Sequence, residues 1–102
     1  MEFHVYILHS EKKHRYYTGF SDVPERTLDQ HNAGKTPSTK YGIPWNRVWL
    51  SIPMSKTEAI RLERKIKKRG AQRFLEDFEK KLIEFCHFVS VSLTSLKNRG
   101  VA

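Results

Sequence analysis

A single cysteine in 102 residues, Cys86, leaves no intrachain disulfide framework and no cysteine-rich zinc site, which agrees with a reducing compartment. No apolar run is long enough to span a bilayer, and the first residues carry no basic, apolar, small-residue leader. The cytoplasm is therefore the expected location, with no membrane partner. Glycine (5) and proline (4) are sparse, and no repeat or low-complexity linker interrupts the chain. Acidic residues are also scarce: 11 Asp and Glu against 19 Lys and Arg leave a net charge of +8. A domain this basic attracts polyanions, nucleic acid being the usual one, although a solubilising surface has the same composition. With 38% hydrophobic and 29% charged residues, the chain reads as one soluble globular domain large enough to bury a core.

What is present begins with "HVYILHSEKKHRYYTGF", two β-branched and aromatic runs separated by a charged loop. A loop taken as Ser10 to Lys13 makes an antiparallel hairpin in which His9 faces His14, Leu8 faces Arg15 and Tyr6 faces Tyr17. The two phenols would then stand side by side, about 5 Å apart at Cβ. Phe3, Val5 and Ile7 point the other way with Tyr16, Thr18 and Phe20, and form the expected core face. A stacked aromatic pair that merely stabilises the hairpin is the plain structural reading of the tyrosines.

A helix follows at "SDVPER", with Asp22 as the expected cap, Glu25 three positions on and Pro24 in the first turn. Gly34 in "HNAGK" suits the left-handed position that ends it. After the basic loop "KTPSTKYGIPW", "NRVWLSI" alternates as a third strand with Val48, Leu50 and Ile52 on one face, and Pro53 closes it. "SKTEAIRLERKIKK" opens with Ser55 or Thr57 as cap and carries the stripe Ala59, Leu62, Ile66. Gly70 breaks this helix, and "AQRFLEDFEKKLIEF" reads as another, apolar at Phe74, Leu75, Phe78, Leu82 and Phe85. The tail "HFVSVSLTSLKNRGVA" alternates Val89, Val91 and Leu93 with hydroxyl residues, as either an edge strand able to pair with a second copy or an uncharged extension. The expected division is a domain over 1–80, then the helix end and tail over 81–102; oligomeric state stays open.

The segment "RLERKIKKRGAQR" concentrates Arg61, Arg64, Lys65, Lys67, Lys68, Arg69 and Arg73, a stripe able to neutralise phosphates. Lys65, Lys68 and Arg69 lie away from the apolar stripe and are candidate phosphate contacts. Glu63 lies about 40° round the helix from Ala59, at the edge of the stripe. It is either an exposed partner of Lys67 or a carboxylate facing a cleft. His31, in the last turn of its helix, is either a favourable cation at a helix C-terminus or a phosphate donor. His4, His9, His14 and His87 have no joint metal-site spacing and read as surface residues.

The order "VYIL", "YYTGF", a helix ending in "HN" and a helix carrying "EAIRLERKIKK" resembles the small stand-alone members of the GIY-YIG endonuclease family. Val5 to Ile7 stand for its GIY element and Tyr17 to Gly19 for its YIG element. The resemblance implies a compact α/β (α+β) domain, a three-stranded antiparallel sheet flanked by helices, that cleaves phosphodiester bonds with a divalent metal, Mg²⁺ or Mn²⁺. It makes Tyr6 the candidate general base, Tyr17 its neighbour on the water or phosphate, His31 a donor or proton-transfer aid, and Glu63 the metal ligand. The nucleic acid is expected to be DNA ahead of RNA, in repair or recombination. The family's transition-state arginine stands four residues before the histidine, where this chain has Thr27. Arg26 is about 140° from His31 round the helix, whereas Thr27 is about 40° away. Arg61, Lys40 and Arg15 are the alternative sources of that charge. Three readings follow: a metal-dependent nuclease, a catalytically weak relative that binds nucleic acid, or an interaction module without nucleic acid.

Overall fold

The computed structural model describes residues 2–84. Strands β1 (His4–Ser10) and β2 (Arg15–Ser21) form the expected hairpin, and β3 (Asn46–Leu50) pairs antiparallel with the other edge of β1, giving the order β2-β1-β3. Helix α1 (Pro24–Asn32) and a 3-10 segment (Pro37–Gly42) connect β2 to β3; α2 (Lys56–Arg69) and a further helix, α3, over residues 71–84 follow. The architecture is an α+β mix, a three-stranded antiparallel sheet with helices. Among the described residues no helix is long and apolar enough to cross a membrane. The tail expected to be an edge strand or extension, together with Phe85, Cys86 and His87, lies outside them.

The hairpin register differs from the expected one by two residues. Tyr6 pairs with Gly19, Leu8 with Tyr17, His9 with Tyr16 and Ser10 with Arg15. Ser10 is fully buried, and its Oγ accepts the Lys13 N–H, while His14 takes the left-handed conformation (φ 53°) just before β2. The turn therefore runs from Glu11 to His14. A slip of two leaves every side chain on its expected face, because the strand repeats every two residues. The two tyrosines share a face but are diagonal rather than opposed.

Both faces of the sheet are covered. On one, Val5 and Ile7 pack with Ala59 and Ile66, all fully buried, flanked by Phe3, Phe20, Leu62, Phe74 and Leu75. This is the expected stripe, and each such aliphatic side chain removed from water is worth about 1.5–3 kcal/mol. Ser55 caps α2 by accepting the Glu58 N–H, and Gly70 (φ 93°) ends it. On the other face Tyr6, Leu8 and Trp45 form a second cluster with Tyr17, Leu28 and Ile43. The phenol face is thus a second interior.

Two local expectations are corrected. Val48, Leu50 and Ile52 do not form the packed face of the third strand; they are exposed, Ile52 by 78%. The pairing jumps from Ile7–Trp49 to Leu8–Arg47, a bulge at Val48. Trp49 instead faces inward, edge-on to Phe74 (5.1 Å) and Phe78 (5.7 Å), covering more apolar area than valine or leucine can. Asp22 does not cap α1. The cap position is Val23, whose N–H goes to Ser21 Oγ, and Pro24 opens the helix as expected.

Candidate functional site

Why Tyr17 is followed two residues later by glycine becomes clear from the pairing. The Tyr6 ring lies across Gly19, and a Cβ there would stand 2.6 Å from Tyr6 Oη and 2.8 Å from Cζ. Only glycine leaves that space. Tyr17 sits beside it, its ring 6.4 Å from Tyr6, 4.9 Å from His31 and 6.3 Å from Trp45.

His31 is brought in by α1, which lays Leu28 and His31 on the sheet. It is only 2% exposed, and its Nε2 is 3.1 Å from Tyr6 Oη. Burial lowers its pKa, so the ring is held neutral rather than serving as a cation at a helix end. Its other nitrogen, Nδ1, is 2.9 Å from Thr39 Oγ1. The 3-10 segment that carries Thr39 is fixed at its far end by Trp45. The Trp45 indole donates to the Thr39 carbonyl (2.8 Å), and the Asn32 side chain bonds both the Trp45 N–H (2.6 Å) and its carbonyl (3.1 Å). Gly42 lies under the same indole, where a Cβ would clash.

The Tyr6 phenol is 4% exposed, and its pKa is pushed above the usual phenol value, first by burial and then by Tyr17 and the Glu63 charge. Each of these influences favours the protonated phenol over the phenolate. The phenol keeps its proton, and its hydroxyl is hydrogen-bonded to His31. Glu63 is half-sheltered, its side chain 17% exposed, and Lys67 Nζ stands 3.4 Å from its Oε1. The i,i+4 pairing foreseen for Glu63 is present, on a side chain that is largely sheltered.

Tyr6, Tyr17 and His31 are therefore gathered, with Glu63 alongside; the basic candidates are dispersed. Arg15 is exposed at the hairpin turn and Lys40 on the 3-10 segment. On α2, Arg61, Lys65, Lys68 and Arg69 all lie about 120–160° round from Glu63. Lys65 and Arg69 line a cavity against α3 with Phe74, Asp77 and Phe78, and Arg69 makes a two-bond pair with Asp77 (2.9 and 3.2 Å). The cations on the Glu63 side are Lys56, Arg64 and Lys67, within about 100° of it. The lysine and arginine content of the stripe hid this difference; helical phase from Glu63 would have found it.

Thr27 is half-buried, with its hydroxyl 2.7 Å from Ser21 Oγ and 3.1 Å from the Val23 carbonyl, while Arg26 is exposed. Arg47 is held by Glu25 (2.7 Å), about 160° from Thr27 round α1 and so on its opposite flank. The His9 ring packs at a tilt against Tyr16 (4.7 Å) and His14 is exposed in the turn. His4, expected on the surface, is half-buried and bonded through Nδ1 to the Ser51 carbonyl.

A family model, the GIY-YIG catalytic domain, matches residues 2–77, about three quarters of the chain. The chain belongs to the GIY-YIG family, and a nuclease-type function acting on nucleic acid is the class this defines. Neither the curated proteins nor the solved structures compared with the chain give a match.

Proposed function

We propose that the protein is a metal-dependent endonuclease that hydrolyses phosphodiester bonds in DNA, in repair or recombination, with Tyr6, Tyr17, His31 and Glu63 as its site. The observation that carries this reading is the buried Tyr6–His31 hydrogen bond, with the charge of Glu63 acting on the same phenol. A phenol that holds its proton is a poor base on its own. A neutral imidazole 3.1 Å away gives that proton somewhere to go. As water attacks phosphorus, its proton passes to Tyr6 Oη while the Tyr6 proton moves to His31 Nε2. The bond to the leaving oxygen breaks, and that oxygen takes a proton from solvent. Tyr17, beside both, orients the water or a phosphate oxygen.

Glu63 fits Mg²⁺ or Mn²⁺ by the chemistry of the donor set. It is one hard carboxylate, and among the described residues no group of three His, Cys, Asp or Glu side chains makes a protein cage. Mg²⁺ keeps several waters and accepts one or two carboxylates plus substrate phosphate. Bound there, the cation would supply positive charge to the scissile phosphate.

One observation favours a second reading, a weakly active or inactive nucleic-acid binder: the flank of α1 nearest His31 carries Thr27 and no guanidinium. A cleavage panel over duplex, flap, branched and single-stranded DNA and RNA, with and without Mg²⁺ or Mn²⁺, separates the two. Metal-dependent cuts lost in Tyr6→Phe support the nuclease. Salt-dependent binding without cuts on any substrate supports the binder, and no binding at low salt removes both.

A further inference from the structure

We infer that Thr39 is a positioning residue that decides which nitrogen of His31 carries the proton. It keeps the imidazole proton on Nδ1, so that Nε2 is the bare acceptor. The inference rests on reading Tyr6 and His31 as the proton-handling pair.

The count of protons favours this arrangement. Thr39 Oγ1 lies 2.9 Å from His31 Nδ1 and 3.2 Å from the Thr36 carbonyl, which is an acceptor only. If the hydroxyl donates to that carbonyl, Nδ1–H donates to Oγ1 and the Tyr6 hydroxyl donates to Nε2. All three protons are then bonded. In the other tautomer the Thr39 hydroxyl donates to Nδ1 and Nε2–H donates to Tyr6 Oη. The buried phenol proton is then left without a protein acceptor among the described residues, a costly arrangement in an interior. Thr39 is itself fully buried, and Trp45 clamps its backbone carbonyl, which fixes the main chain that carries the hydroxyl.

The same arrangement serves the reaction. When Nε2 takes the proton, the imidazolium already has an acceptor for its other N–H, in the way that a partner on the far nitrogen orients a histidine and raises its basicity. A hydroxyl does this more weakly than a carboxylate but leaves no buried charge in the resting state.

The test combines ¹⁵N NMR of the His31 ring at neutral pH, which needs no activity, with cleavage kinetics. In the parent the ring should show Nδ1 protonated and Nε2 bare. Thr39→Val, nearly isosteric, should shift the ring towards the Nε2–H form and lower kcat by roughly 10- to 100-fold with KM little changed, the scale found when partners that orient a histidine are removed. Thr39→Ser should keep the parent tautomer and a rate within about threefold of it. A parent ring protonated at Nε2, or a Val variant with the parent tautomer, overturns the inference. Equal losses in Ser and Val also overturn it, because they would mark a packing role. Should Thr39→Val not fold, the parent and Ser spectra still decide the tautomer. A parent that cleaves nothing would instead overturn the proton-handling reading, while the spectra continue to judge Thr39.

Discussion

The two faces of one strand, β1, make very different interiors. Val5 and Ile7 enter a cluster closed by Ala59 and Ile66, in which shape and area are the whole story. Tyr6, one residue away, enters an interior threaded by hydrogen bonds from its own hydroxyl through His31 and Thr39 to the Thr36 carbonyl. An apolar interior tolerates substitution in proportion to volume lost, whereas a polar one depends on each proton having a place. The first face holds the fold, and the second gives part of its packing to hydrogen-bonded polar groups.

The sharpest way to break this comparison is at its centre. Tyr6→Phe keeps the ring over Gly19 and removes the proton-carrying oxygen. Cleavage should fall by about 10²–10⁴-fold, the usual share of a general base. Stability should drop by only about 1 kcal/mol, for the acceptor left at His31. Glu63→Ala should likewise abolish cleavage at any metal concentration tried while nucleic-acid binding persists. Parent-like cutting by Tyr6→Phe would remove Tyr6 as the base. On the opposite face, Ile66→Ala should cost about 2–5 kcal/mol in denaturant unfolding and leave kcat of the folded fraction near that of the parent. A large kcat loss there would mean that the two interiors are coupled.

Thr27→Arg asks whether the polar face lacks a cation. A guanidinium on the His31 side of α1 should raise the cleavage rate tenfold to several hundredfold, since about 1.4 kcal/mol of barrier is a factor of ten. No gain in an active parent would assign that charge to another residue, with Arg64 and Lys67 the first to test. The smallest effect concerns α2. Replacing Arg64 and Lys67 with alanine should lower the salt slope of binding by roughly two phosphate equivalents, and Lys65 with Arg69 by less, because those two lie on the side of α2 away from Glu63. Equal slopes in the two double variants would place the nucleic acid across both sides of the helix.

Much of this contrast was legible in the chain. Alternation in "HVYIL" separated the faces of β1, and that separation survived a two-residue error in register because the strand period is two. Periodicity in "TEAIRLERKIKK" found the buried stripe, and Ser55, Pro24, Gly34 and Gly70 took the positions their backbone chemistry suits. The third strand failed for a physical reason. Its alternation was read from Val48, Leu50 and Ile52, but a bulge let the larger Trp49 take the inside place. For Asp22, the side chain nominated as cap gave way to Ser21, one residue earlier, which bonds both the Val23 N–H and the Thr27 hydroxyl.

By itself the sequence determined the faces of the hairpin, the helix carrying Glu63, the basic character and the family, because these follow from local periodicity, capping chemistry and an ordered set of short motifs. Only the tertiary structure decided that Tyr6 lies over Gly19, that His31 is a neutral, buried partner of that phenol, and that Thr39 stands behind it. Tyr6, His31 and Thr39 come from a strand, a helix and a loop, and their meeting depends on how α1 and the 3-10 segment close over the sheet.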